Sequence, residues 1–344
     1  MKSVKLFSEF VGDGHPCYII AEIGNSFKNF QQAKRLIDSA KKIGVNAVKF
    51  QTWDAETVTT KKNFFDMEAT GHVSQYEFHK KIQISEELQK KIMKYAKERR
   101  IVMFSAPSHI KDLELMEKIN VPIYKIGSDL ACHIPLLKKV AKFDKPIILS
   151  TGMCTIDEVQ NSVSAIYNEG NEKLILLHCI ANYPAQISES NLEVINTMKK
   201  EFGIPVGFSD HTKGIFIPTS AAVMGANVIE KHMKHPVNPS FPDNPHSLTP
   251  SEFLELIKSI RLIESAKGSG KKIPTKSEQK NLKNNRVSIV TLERILKGTK
   301  ISRDMIDIKR PGSGIQPIYW NEVIKKVAKK DIDSEIPLQW SMLE

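Results

Sequence analysis

Short apolar runs recur along the chain at residues 17–24, 47–52, 101–107, 124–128, 146–152, 174–179, 206–210 and 227–233. Segments of helical period separate them, among them 30–43, 85–99, 155–168 and 250–266. Apolar strands alternating with amphipathic helices imply a parallel sheet whose faces the helices cover. Eight such units can close on themselves, so the expected fold is an α/β TIM (β/α)8 barrel over residues 1–266. Outside this repeat the pattern changes. Gly12-Asp13-Gly14-His15-Pro16 reads as the turn of a hairpin ahead of the first barrel strand. Residues 53–84 form a connection longer than most, and such a loop at a barrel mouth is expected to cap a substrate. Residues 267–283 are rich in Gly, Ser and Lys and read as a linker. Residues 284–344 then read as a smaller module of short strands with one helix near 320–329. At ~60 residues it is marginal alone and is expected to lean on another surface.

Nearly every strand-like run ends in polar residues: Glu22, Lys49 and Gln51, Ser105, Lys125 and Ser128, Ser150 and Thr151, His178, Asp210 and His211, Glu230 and His232. Side chains alternate along a strand, so Lys49 and Gln51 share one face of residues 47–52, while Val48, Phe50 and Thr52 share the other. A lysine buried without a partner costs several kcal/mol. Taken alone, Lys49 is equally a lysine whose stem packs and whose ammonium escapes to solvent. A ring of such residues at the C-terminal ends of barrel strands, where catalysis sits in this architecture, is a candidate site.

Composition changes this picture little. A chain of 344 residues suits one large domain with a small appendage, and 26% charged residues is ordinary for a globular protein. The first residues contain no apolar run of signal length and no window is long enough to span a bilayer, so the expected location is cytoplasmic, with no membrane partner. Cys17, Cys132, Cys154 and Cys179 include no Cys-x-x-Cys pair, which argues against a zinc site or a disulfide framework. The net charge of +11 is scattered over amphipathic helices with few aromatics between, which argues against nucleic acid and for a field that draws in small anions.

Lys125-Ile-Gly-Ser128 and Ser150-Thr-Gly-Met153 are small-residue turns leaving consecutive strands. Their backbone N–H groups, hydroxyls and lysine suit a phosphate or phospho-ester, with Lys49 available for a carboxylate of the same molecule. Helix N-capping is the alternative role for Ser128 and Ser150. His211 and His232 end consecutive strands beside carboxylates, a donor set that suits a divalent metal, Mn²⁺ or Mg²⁺, with open positions. Asp243 and Glu230 are candidates to orient a water or to act as acid or base. His178 points as easily into the barrel wall and is left out.

Taken together, Ala21-Glu-Ile-Gly24, Val48-Lys-Phe-Gln-Thr52, Tyr124-Lys-Ile-Gly-Ser128, Ile148-Leu-Ser-Thr-Gly-Met153, Leu176-Leu-His-Cys179 with Tyr183-Pro184, Phe208-Ser-Asp-His-Thr212 and Ile229-Glu-Lys-His232 resemble the sialic acid synthase family. The tail Ile308-Lys-Arg-Pro-Gly-Ser-Gly-Ile315 resembles its antifreeze-like (SAF, β-clip) domain. The resemblance implies a metal-dependent condensation of phosphoenolpyruvate with an N-acylated amino-sugar aldehyde such as N-acetylmannosamine. Carbon 3 attacks the aldehyde, water adds at carbon 2, and phosphate leaves by C–O cleavage. It further implies that Lys49, Lys125, Ser128 and Ser150, with Gly152 and Asn182, hold substrate, and that His211 and His232 ligate the metal. Glu22, Gln51, Tyr183 and Asp243 would surround the sugar and the reacting carbons. The antifreeze-like module of one chain would cover the partner's barrel mouth in a swapped homodimer, with Arg310 on the sugar's N-acyl group.

The chain departs from the family pattern at Asn25-Ser26-Phe27-Lys28-Asn29, where Asn-His-x-Gly is usual, at Ala106 in place of a Thr, at Leu130 in place of an acidic residue with Asp129 one position early, and at Ala181 in place of a polar residue. These changes fall mainly beside the sugar. They admit a legionaminic or pseudaminic acid synthase with a diacetamido-sugar acceptor and, as a different class, a non-catalytic phospho-ligand-binding homologue.

Overall fold

A computed structural model describes residues 2–67 and 71–344. The chain divides into two compact units, Met1–Gly268 and Ser269–Glu344. The first begins with an antiparallel hairpin of β1 (Val4–Leu6) and β2 (Glu9–Val11). This corrects the expected position of the hairpin turn. The reversal lies at Phe7 and Ser8, with Phe7 in the left-handed region at φ 55°, and the turn closed by the His15 N–H on the Gly12 carbonyl leads onward to the barrel.

β3 (Tyr18–Glu22) and β4 (Ala47–Thr52) are the first two barrel strands. Between β4 and the next come two short helices, Ala55–Val58 and Gln75–Ile82, and a hairpin of β5 (Phe64–Met67) with β6 (Gly71–Ser74). The long connection is thus largely structured, and its residues 68–70 lie outside the described residues. β7 (Val102–Pro107), β8 (Tyr124–Ile126), β9 (Ile147–Ser150), β10 (Leu174–Cys179), β11 (Val206–Asp210) and β12 (Val228–His232) complete the set. All eight are parallel and close in chain order, with β12 pairing back onto β3. The interior is apolar because these strands are buried on both faces: Ile19, Ile148, Leu176, Val228 and Ile229 are fully buried.

The second unit has its own core around Ile289, Ile295, Ile301, Val323, Ala328 and Leu338. β13 (Ser288–Thr291) pairs antiparallel with β14 (Ile306–Lys309). Two expectations need correction here. The second half of the supposed linker is a helix, Lys276–Asn285, opened by a capping box in which Thr275 and Glu278 satisfy each other's backbone N–H groups. The helix expected near 320–329 is a single turn, Trp320–Val323.

Candidate active site

Register places the functional side chains. In a parallel ladder paired residues share a face, and Glu22 pairs with Lys49 while His232 pairs with Glu22. Glu230, two residues before His232, shares that face by the strand's period. All four converge inside the C-terminal mouth. The Lys49 ammonium lies 2.5 Å from Glu22 Oε2 and 3.1 Å from Glu230 Oε1. Lys125 approaches the same Glu230 oxygen to 3.6 Å and donates to Ser150 Oγ at 2.7 Å, while the Ser209 hydroxyl donates to it at 3.2 Å. Every one of these side chains is buried. Burial pulls the Lys49 ammonium down to about 8, with Lys125 adding to the shift and Glu230 opposing it. Burial by itself would raise Glu230, but Lys125 and Lys49 outweigh it and hold the carboxyl at about 2.

The turns after β8 and β9 meet beside this network. Ser128 Oγ accepts the Gly152 N–H at 3.0 Å. A Cβ at residue 152 would stand 2.9 Å from that oxygen and 3.0 Å from the Cys179 carbonyl, so the close approach requires glycine. Neither serine caps an α-helix: the helices that follow, Ile134–Ala141 and Ile156–Tyr167, are capped by His133 and Thr155. Gln51 is half-buried and borders Gly24, whose N–H donates to Glu22 Oε1.

Across the mouth stands a cluster of imidazoles. The ring centroids of His211 and His232 are 5.5 Å apart, with Tyr183 4.3 Å from His211. His211 Nδ1 lies 2.9 Å from the Ile180 carbonyl, which fixes the ring and turns Nε2 away from it. His232 Nδ1 lies 3.4 Å from Asp243 Oδ2, an oxygen that also accepts from Asn25 Nδ2 at 3.1 Å. Asn25, in the stretch that departs from the family pattern, therefore reaches the carboxylate expected beside the sugar. Burial, reinforced by His246 and His211, holds His232 well below the ordinary imidazole range. Burial pushes Asp243 up to about 6.

The structure adds a residue that the sequence reasoning missed. His246, in the loop after β12, lies 4.8 Å centroid to centroid from His232. The spacing Asp243-x-x-His246 was its one signal, outside any strand or helix period. Other polar strand ends point away from the mouth. Ser105 faces the helical layer with Thr52, at 2.7 Å, and Asp210 pairs with Lys231 there. His178 Nε2 bonds the Ser190 carbonyl in the wall. Asn182 is exposed and its Oδ1 accepts the Tyr183 N–H. Arg310 lies on the second unit, exposed after β14.

Buried cations and imidazoles gathered at the C-terminal end of a closed parallel barrel define a (β/α)8 protein with a polar, charged mouth. Comparison with known proteins carries the assignment further. Residues 36–272 match the NeuB family and residues 286–344 the SAF domain, so the chain belongs to the NeuB family. It is 40% identical over 344 residues to an uncharacterized protein of Methanocaldococcus jannaschii, covering 100% of this chain and 99% of that one. It is 37% identical over 320 residues to the N,N'-diacetyllegionaminic acid synthase of Campylobacter jejuni, covering 91% and 96%. The solved N-acetylneuraminic acid synthetase of Leptospira borgpetersenii superposes with a TM-score of 0.72 at 30% identity, covering 82% of this chain and 95% of that one. The expected family, the barrel and the C-terminal SAF domain are thus borne out. Among the described residues no helix is long and apolar enough to cross a membrane.

Proposed function

We propose that this chain is a phosphoenolpyruvate-dependent nonulosonate synthase, condensing that substrate with an N-acylated amino-sugar aldehyde and releasing phosphate. One observation carries the reading: Lys49 and Lys125, buried and from different strands, converge on the single carboxylate of Glu230. Lys49 is also held by Glu22, so the charges balance, but two ammonium groups from different strands can each turn to one anionic group of a ligand, and phosphoenolpyruvate brings a carboxylate and a phosphate. Ser128, Ser150 and Gly152 line the phosphate end. His211, His232 and the neighbouring Asp243 would hold a divalent cation, Mn²⁺ or Mg²⁺. Both imidazoles are buried, and the low proton affinity of His232 leaves it neutral as a ligand must be. His211, which burial would lower but Cys179 and the Ile180 carbonyl hold above the ordinary imidazole range, must release its proton to bind. When bound, the cation would supply Lewis-acid polarisation of the aldehyde. Glu22, Gln51, Tyr183 and Asp243 line the space left for the sugar, and a swapped homodimer would bring Arg310 of the partner chain over it.

The 37% identity to the Campylobacter jejuni enzyme favours a diacetamido sugar as acceptor over N-acetylmannosamine. Mass spectrometry of products formed from phosphoenolpyruvate, Mn²⁺ and a panel of both acceptor types should find a nonulosonic acid and one equivalent of phosphate. Absence of phosphate release with every acceptor defeats the reading and leaves a phospho-ligand-binding protein.

A further inference from the structure

We infer that His246 is a metal ligand of this site, completing with His232 and Asp243 a two-histidine, one-carboxylate face. The inference rests on the metal-dependent reading above and extends it to a residue outside the barrel strands.

The donor atoms of His232, Asp243 and His246 all lie within 4.8 Å of one another. Adjacent donors on one face of an ion with bonds of ~2.1 Å are about 3 Å apart, so the three side chains must draw together by up to about 2 Å to share a single cation. His246 is 1% exposed, and neither of its ring nitrogens has a hydrogen-bond partner among the described residues. A buried polar group without a partner costs ~1–3 kcal/mol, and a histidine kept for packing would be expected to bond at least one nitrogen. His178 does so in the wall. The loop that carries His246 is also fixed in place. The Leu248 N–H donates to the His232 carbonyl at 2.9 Å, Ser247 Oγ donates to the Asp243 carbonyl at 2.5 Å, and Lys234 Nζ holds the Asn244 carbonyl at 2.8 Å. Residues 243–248 are thereby clamped to the end of β12, and the imidazole is presented on a rigid turn. Preorganisation of this kind is what a ligand set needs. His211 stands further off, its ring 5.9 Å from that of His246, and approaches the same space from β11.

The test uses the full chain stripped with a chelator and titrated with Mn²⁺ alone, followed by calorimetry and by pulsed electron paramagnetic resonance, which counts coordinated imidazole nitrogens. His246→Ala is expected to weaken Mn²⁺ binding at least tenfold. His246→Gln, which preserves most of the volume should the alanine variant unfold, is expected to lose one nitrogen from the echo modulation. Wild-type affinity together with an unchanged nitrogen count in His246→Gln overturns the inference and leaves the metal reading intact. A wild-type chain that binds no Mn²⁺ overturns both.

Discussion

Two buried lysine–carboxylate clusters stand one residue apart in this barrel and do opposite things. Lys231 faces the helical layer, fully buried, and its ammonium bonds both Asp210 Oδ2 and the Thr212 carbonyl. The other Asp210 oxygen accepts the Thr212 N–H at 3.0 Å and its hydroxyl at 2.9 Å. That cluster is closed on itself. Glu230, the preceding residue, faces the mouth, where one of its oxygens gathers Lys49, Lys125 and Ser209 while Oε2 has no hydrogen-bond partner among the described residues. Lys49 is also held by Glu22 at 2.5 Å, so the charges balance, and what stays open is that second Glu230 oxygen, a buried acceptor beside two ammonium groups at a barrel mouth. The strand's period of two separates structure from chemistry within three consecutive residues, Glu230, Lys231 and His232.

Breaking the closed cluster should have the largest effect, and it should fall on stability. Lys231→Met strands a buried carboxylate, for which a loss of ~3–5 kcal/mol is expected in urea unfolding. At temperatures where the variant stays folded, its Michaelis constant for phosphoenolpyruvate should be unchanged. Breaking the open cluster should do the reverse. Lys125→Met removes a charge-assisted hydrogen bond to the proposed substrate worth ~1.5–3 kcal/mol, so the constant should rise roughly 10- to 150-fold in steady-state assays. Lys49→Met should raise it similarly while also costing stability, because it strands Glu22. Lys125→Met leaves Lys49 on Glu230, so it should cost less stability than Lys231→Met. A fall in stability equal to that of Lys231→Met, with unchanged substrate affinity, would merge the two clusters into one structural role.

The same contrast explains how much the sequence discloses. The eight strands are legible because each is an apolar run bounded by helices of clear period, and Lys49 and Gln51 stand out because charge interrupts such a run. Parity does the rest: a side chain two positions from Glu230 shares its face, which separates His232 from Lys231 without any coordinates. What parity cannot supply is a partner. Ser105 and Asp210 look like mouth residues at the ends of their strands, and the structure turns both into the wall, where Thr52, itself bonded to Gln89, meets the first and Lys231 the second. His246 lies in a loop, where no period marks a face, and only the pairing of residue 248 with the end of β12 brings it to His232. The helix Lys276–Asn285 was legible after all: Thr275-x-x-Glu278 is a capping box, hidden by a lysine-rich composition that suggests a linker.

A smaller effect is expected where the open cluster meets backbone. At Gly152 an added methyl would press on Ser128 Oγ and on the Cys179 carbonyl, one a mobile side chain and the other fixed. Gly152→Ala should therefore overpack the phosphate turn at a cost near the low end of ~1–3 kcal/mol, seen as a roughly tenfold weaker phosphoenolpyruvate affinity by calorimetry. An unchanged affinity would move the phosphate away from this turn.

The smallest effect is a dependence on pH, and it too separates the clusters. Lys49, held down to about 8 by burial, is cationic below that pH and neutral above it. Its attraction for an anion is therefore present at low pH and lost as pH rises through about 8. For a group of that pKa, the cationic fraction falls roughly fourfold between pH 7 and 8.5. The expected result is a similar fall in kcat/KM for phosphoenolpyruvate, which reports the free enzyme, with kcat less affected because a bound anion draws the pKa back up. Lys231 is also lowered by burial, yet it touches no substrate, so its titration belongs to unfolding curves and not to kcat/KM. Arginine stays charged throughout this range, so Lys49→Arg should flatten the alkaline limb even if its geometry lowers the rate overall. A limb that persists in Lys49→Arg would assign the titration to another group and remove Lys49 from the anion site.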